Sequence, residues 1–156
     1  MIASPYLLYL GHVNDEVGIK TSRGLAVFRP DECVGEFRHD DCELTLELPR
    51  MGFAEAVAAG AKTLVLGIAN AGGKMGDDLV RDALAAIEAG LDIASGLHNR
   101  LRDEPALVEA AARHGRQLHD VRDPRPDIPI GNGKPRAGKR LLAVGTDCSV
   151  GKMYAT

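Results

Sequence analysis

Lys62-Thr63-Leu64-Val65-Leu66-Gly67-Ile68-Ala69 is a run of leucine and β-branched residues with no polar alternation. A strand of that kind is buried on both faces, the condition found inside a parallel sheet. The residues on either side place it in a repeating order. Upstream, Phe53 to Ala59 is alanine-rich and reads as a helix stopped by Gly60. Downstream, the glycine-rich loop Asn70-Ala71-Gly72-Gly73-Lys74-Met75-Gly76 leads to Asp77-Asp78, which cap a helix over Leu79 to Ala89. That helix carries Leu79, Ala83, Ala86 and Ile87 at helical spacing and ends at Gly90. Leu91 to Ser95 reads as the next strand. Asp103-Glu104-Pro105 opens a helix that runs to about His114, and Gln117 to Val121 is a last short strand. Strand, helix, strand, helix, strand with short loops predicts βαβ crossovers. The fold class is therefore α/β, a Rossmann-like open parallel sheet with flanking helices, whose strand order the sequence leaves open.

The first fifty residues are less periodic. Tyr6 to Leu10 is a continuous apolar run ending at Gly11 and reads as a buried strand. Asn14-Asp15-Glu16 is expected to cap a short helix through about Ser22, with Gly24 as its stop. Cys33 to Arg38 reads weakly as a strand, and His39-Asp40-Asp41 as a polar break. Beyond the last strand, prolines and glycines between Asp123 and Pro135 mark an extended linker. After it, Arg140 to Val144 is expected to be a strand that opens a second unit. The predicted organisation is a Rossmann-like N-terminal domain over 1–122, a linker over 123–139, and over 140–156 the start of a truncated phosphate-loop (P-loop NTPase-like) domain. On this reading the chain is an N-terminal fragment of a longer protein.

The bulk numbers narrow the classes of function. The 156 residues carry a net charge of −3 and only 4% aromatics, with no tryptophan. Neither a basic field nor a base-stacking surface is available, which argues against nucleic acid as a partner. Three cysteines at irregular spacing make no disulfide framework and no zinc site. Met1-Ile2-Ala3-Ser4-Pro5 lacks the features of a signal peptide, and no apolar run reaches the length of a membrane span. A cytoplasmic protein with no membrane partner is expected.

The strongest chemical signal is Gly145-Thr146-Asp147-Cys148-Ser149-Val150-Gly151-Lys152-Met153. An apolar run, a tight loop and Gly-Lys at a helix start is the layout of a phosphate-binding loop: backbone N–H groups converge on an anion and a lysine adds mobile positive charge. It departs from the general G-x-x-x-x-G-K-[ST] pattern twice. Gly145 lies one residue early, and Met153 stands where a hydroxyl would hold Mg²⁺. The loop is similar to the variant of dethiobiotin synthetases, in which the lysine is followed by threonine. Binding an anion is better supported than splitting a nucleotide, and no resident metal is expected. Cys148 reads as a small residue that fits the tight loop.

Two further segments follow buried strands at the sheet edge where open α/β folds bind ligands. Asn70, Gly72, Gly73 and Lys74 read either as an anion or substrate loop or as a tight turn in which glycines only supply positive φ. Ser95, Gly96 and His98 form the second segment. His98 is a weak candidate for a general base or ligand donor, with no partner visible in the chain. His12, His39, His114 and His119 have less context still.

Thr63 to Gly73, then Ile93 to His98, then Val121-Arg122, then Gly145 to Met153, with Cys33-Val34-Gly35 after Arg29-Pro30, occur in an order that resembles the DgcN family of D-glutamate N-acetyltransferases. The resemblance covers nearly the whole chain. It implies a two-domain protein about twice this length, a Rossmann-like domain followed by one of the phosphate-loop class. It implies transfer of an acetyl group from acetyl-CoA to the amino group of D-glutamate in bacterial D-amino-acid catabolism, and a homo-oligomer is expected. Residues 145–153 would be the phosphate loop, and Asn70, Gly72, Gly73 and Ser95 to His98 would face the inter-domain cleft. Lys74 or an arginine would hold the substrate carboxylates. The alternatives are an ATP/Mg²⁺-dependent enzyme of the dethiobiotin-synthetase or kinase type and a non-catalytic ligand-binding module.

Overall fold

The structure is a computed structural model, described here for residues 2–69, 75–123, 133–135, 137–139 and 141–144. The chain divides into two units, Met1–Pro124 and Arg125–Thr156. The first holds strands β1 (Tyr6–Gly11), β2 (Cys33–Arg38), β3 (Thr63–Leu66), β4 (Asp92–Ser95) and β5 (Leu118–Asp120). Its helices are α1 (Lys20–Phe28), α2 (Phe53–Ala58), α3 (Asp77–Ala89) and α4 (Pro105–His114). All pairings are parallel and the strand order is β2-β1-β3-β4-β5. The five strands and the later three helices lie where the sequence places them, within two or three residues at each end.

Strand β1, second in the sheet, is apolar on both faces. Leu7, Leu8 and Leu10 are fully buried and Tyr9 nearly so. Leu7 and Tyr9 pack with Ala56 of α2, Leu79, Ala83, Ala86 and Ile87 of α3, and Leu107 of α4. Leu8 and Leu10 pack on the other face with Ile19, with Leu25 and Ala26 of α1, and with Cys42 and Leu46 of the irregular segment after β2. The connection from β1 to β2 therefore runs over one face and the connection from β2 to β3 over the other. The connections that leave β1 and β3 cross opposite faces, so the topological switch of this doubly wound sheet lies between those two strands, and ligands of such sheets sit outside the carboxyl ends there.

Two expectations near the amino terminus are corrected. Asp15 does not open a helix: its carboxylate accepts the N–H groups of Val17 and Gly18 and closes a turn. The helix begins later, at Lys20, and passes through Gly24 instead of stopping there. Burial of Leu25 and Ala26 against β1 outweighs the helix cost of one glycine, which is about 1 kcal/mol. Residues 141–144, expected as part of a strand, belong to no strand, and Leu141, Leu142 and Val144 are exposed. A strand draws its stability from neighbours in a ladder, and none pairs with these residues among those described.

The irregular segment after β2 is anchored by a buried carboxylate. Glu36 is fully buried, accepts hydrogen bonds from Arg38 Nε at 3.0 Å, Thr45 Oγ1 at 2.9 Å and the Leu46 N–H at 2.6 Å, and so leaves no lone charge in the core. On the opposite side of β1, the start of α1 lies against the end of β3. Ser22 N–H donates to the Gly67 carbonyl at 3.2 Å and the Ser22 hydroxyl to the Tyr9 carbonyl at 3.2 Å. A methyl group on Gly67 would stand 2.7 Å from Ser22 N and collide with Ser22 Oγ. Gly67→Ala should destabilise the chain by about 1–3 kcal/mol, the usual cost of overpacking. Urea denaturation followed by circular dichroism measures it, and an unchanged midpoint would contradict the close approach.

Candidate functional site

The carboxyl ends of β1 and β2 carry a cluster of ionisable side chains. His12 follows β1 directly, and His39 follows β2. The His39 N–H donates to the Gly11 carbonyl at 2.9 Å and so ties the two strand ends together. The two imidazoles then stack, with ring centres 3.9 Å apart and planes 3° from parallel. Phe37 of β2 meets His39 edge-on at 5.2 Å, while Phe37 itself stacks between Phe53 and Tyr9. This aromatic tier fixes the orientation of the His39 ring.

Each histidine is held by a carboxylate. Asp82, on the second turn of α3, is buried, and its Oδ2 lies 2.6 Å from Tyr9 Oη and 2.7 Å from His39 Nε2. Burial, and after it the hydrogen bond to Asp82, pushes the Tyr9 hydroxyl well above its ordinary range, so Tyr9 keeps its proton and donates it. Asp82 then accepts from both neighbours. An accepting carboxylate at Nε2 assigns the His39 proton to that nitrogen and leaves the lone pair of the neutral ring on Nδ1. His12 Nδ1 lies 2.7 and 2.9 Å from the two oxygens of Asp41. Asn14 braces this second pair, donating to the Asp41 carbonyl at 2.7 Å and accepting the Glu43 N–H at 2.7 Å. Asp41 is exposed, and its hydrogen bond to His12 holds its carboxyl below the usual range. Beside it, Asp40 pairs with Arg50 at 2.5 Å, which lowers its carboxyl in the same way.

Of the site residues singled out in the sequence, Ser95, Gly96 and His98 are among those described, at and just after the end of β4. Asn70, Gly72, Gly73, Lys74 and the loop 145–153 lie outside the described residues. Ser95 is buried at the end of β4, where its hydroxyl oxygen accepts the Leu97 N–H at 3.1 Å. Ser95 and Gly96 line an apolar cavity of about 260 Å³ on the α1 side of the sheet, together with Tyr6, Leu25, Val65 and Ala94. His98 is exposed and has no side-chain partner among the described residues. Cys33 and Cys42 are free thiols, and no three His, Cys, Asp or Glu side chains among the described residues stand together as a metal site. No helix of the described residues is long and apolar enough to cross a membrane.

A parallel, doubly wound sheet with its ionisable cluster at the strand carboxyl ends defines a Rossmann-like α/β domain. The chain belongs to the DUF1611_N family, a Rossmann-like domain of unknown function, whose profile matches residues 32–124. It is 53% identical over 154 residues to a D-glutamate N-acetyltransferase of Tritonibacter scottomollicae, a match covering 99% of this chain and 46% of that protein. It is 43% identical over 155 residues to a D-glutamate N-acetyltransferase of a Pseudoalteromonas species, covering 99% of this chain and 47% of that one. The chain thus spans about half the length of the curated relatives it matches. A crystal structure of a DUF1611 family protein from Anabaena variabilis shares the fold, with a TM-score of 0.68 over 83% of this chain and 40% of that one, at 22% identity.

The lowered carboxyl of Asp41 makes the His12 pair visible in solution. A carboxyl depressed in the folded state adds stability above its unfolded value of about 3.9, and that contribution is lost as the pH falls through the folded value. The stability gap between wild type and Asp41→Asn should therefore be complete at about pH 6 and close below about pH 4. Urea melts across that range measure it. A gap that stays constant would contradict the pairing.

Proposed function

We propose that this domain is the Rossmann-like part of an acyltransferase that moves an acetyl group from acetyl-CoA to the amino group of D-glutamate. One observation carries the reading: 53% identity, sustained over 154 residues, to a protein named for that activity. Two elements complete the proposal. Residues 1–122 form the Rossmann-like domain, and 123–139 link it to a phosphate-loop domain that starts at 140–156. Gly145 to Met153 anchors the phosphates of CoA, a role that needs backbone N–H groups and Lys152 but no Mg²⁺, and so tolerates Met153.

The acceptor binds at the strand carboxyl ends. Asn70, Gly72, Gly73, Lys74, Ser95, Gly96 and His98 are the proposed contacts, with Lys74 the cation for a substrate carboxylate. The setting is bacterial D-amino-acid catabolism in the cytoplasm, in a homo-oligomer. The names of the relatives lend no support to the ATP/Mg²⁺ alternative.

Calorimetric titration of a protein of the relatives' full length tests the donor. Acetyl-CoA should bind, and D-glutamate added to that complex should yield N-acetyl-D-glutamate by mass spectrometry. Tight binding of ATP–Mg²⁺ without binding of acetyl-CoA would overturn the reading.

A further inference from the structure

The Tyr9–Asp82–His39 constellation is costly to build. A carboxylate placed on the buried side of a helix loses its hydration, and it is tolerated only when its lone pairs are satisfied. Asp82 sits on the same side of α3 as Leu79, Ala83 and Ala86, against the sheet, where a leucine would pack without that cost. Packing alone therefore does not account for an acid at this position. What the acid achieves is specific: it receives the Tyr9 hydroxyl from below and the His39 ring from the solvent side.

The result is an imidazole with one nitrogen committed and one presented. His39 Nε2 is held by Asp82, and its ring is clamped between the edge of Phe37 and the face of His12. Among the hydrogen bonds of the described residues, none engages His39 Nδ1. The side chain is 31% exposed, against 10% for Asp82, so the ring is reachable while its orienting acid is not. A buried acid, an oriented and partly exposed imidazole, and a second ring nitrogen without a hydrogen bond among the described residues make up a general-base dyad at the carboxyl end of a parallel strand.

We propose that His39, oriented by Asp82, is the base that takes a proton from the ammonium group of the acyl acceptor, with His12 and Asp41 forming the wall against which that ammonium rests. This rests on the acetyl-transfer reading above and adds a catalytic residue to it. An α-ammonium has no lone pair and cannot attack a carbonyl. His39 removes one proton as the amine is bound. The freed nitrogen lone pair forms the C–N bond to the carbonyl carbon of the acetyl thioester, and the C–S bond breaks with its electron pair going to sulfur. The second nitrogen proton neutralises the departing thiolate, and imidazolium His39 returns its proton to solvent. The sum is ammonium plus acetyl thioester giving amide, thiol and one proton. The surroundings suit a cation, since Asp41 and Asp82 bring two carboxylates to two histidines, while Arg38 and Arg50 are bound to Glu36 and Asp40. Tyr9 and Asp82 are positioning residues in this scheme.

His39→Gln in the full-length protein separates this role from a structural one. A glutamine amide replaces the Nε2 donor to Asp82 but offers no basic lone pair. The expected result is a native melting profile, unchanged binding of acetyl-CoA, and a kcat lower by about 10²–10⁴-fold, the usual share of general-base catalysis. The acidic limb of the wild-type pH–rate profile should vanish with it, and in His39→Ala added imidazole should restore part of the rate. Should the variants fail to fold, the wild-type enzyme decides. Acylation of His39 by diethyl pyrocarbonate, mapped by mass spectrometry, should abolish turnover, and D-glutamate should protect it. Wild-type turnover with a His39→Gln rate within about threefold, or turnover that survives modification of His39, overturns the base and leaves the acetyltransferase reading intact. A wild-type protein that acetylates no D-glutamate overturns that reading and the base with it.

Discussion

A single oxygen atom, Oδ2 of Asp82, ties α3 to the middle of β1 and to the residue that follows β2. It accepts from Tyr9, in the buried centre of β1, and from His39, just past the end of β2. A hydrogen bond to a charged group contributes about 1.5–3 kcal/mol, and a buried charge left without partners costs more than that. The carboxylate therefore requires both donors to stay where they are. Through Tyr9 it fixes the tilt of α3 on the sheet. Through His39 it orders the turn after β2, and through the stacked His12 it reaches the loop after β1.

The fold makes this arrangement available. Because β1 lies between β2 and β3, the connections that leave β1 and β3 run over opposite faces, and the switch point opens between those two strands, beside the β1 and β2 ends that carry the histidines. Glu36 and the Gly67–Ser22 contact hold the two sides of that opening. The first pins the segment after β2 through the Leu46 N–H, and the second lets α1 close on β3. A side chain at either the switch point or its rim is thus positioned by backbone that the core has already fixed.

Much of this was legible in the amino-acid order. The run from Lys62 to Ala69 and the glycine stops at Gly60 and Gly90 carry the parallel sheet, and both glycines adopt positive φ as helix stops do. The failures have a common physical origin. Asp15 and Gly24 carry local helix signals, but the burial of Ile19, Leu25 and Ala26 against β1 set the bounds of α1 instead. The histidine cluster escaped because its parts are 43 and 73 residues apart, and no spacing rule joins them. One signal was present: Asp82 falls on the apolar stripe of Leu79, Ala83 and Ala86, and an acid on a core-facing stripe needs a partner. The strand-terminal positions of His12 and His39 were the matching half of that signal.

The assignment of the His39 proton to Nε2 is the point from which the proposed chemistry follows, and nitrogen-15 NMR of the imidazoles in this 156-residue chain reads it directly. At about pH 8, where an ordinary imidazole is neutral, His39 should show a protonated Nε2 and an unprotonated Nδ1, and Asp82→Asn should abolish that preference. A His39 ring protonated on Nδ1, or one that averages rapidly between the two tautomers in the wild-type chain, would contradict the account.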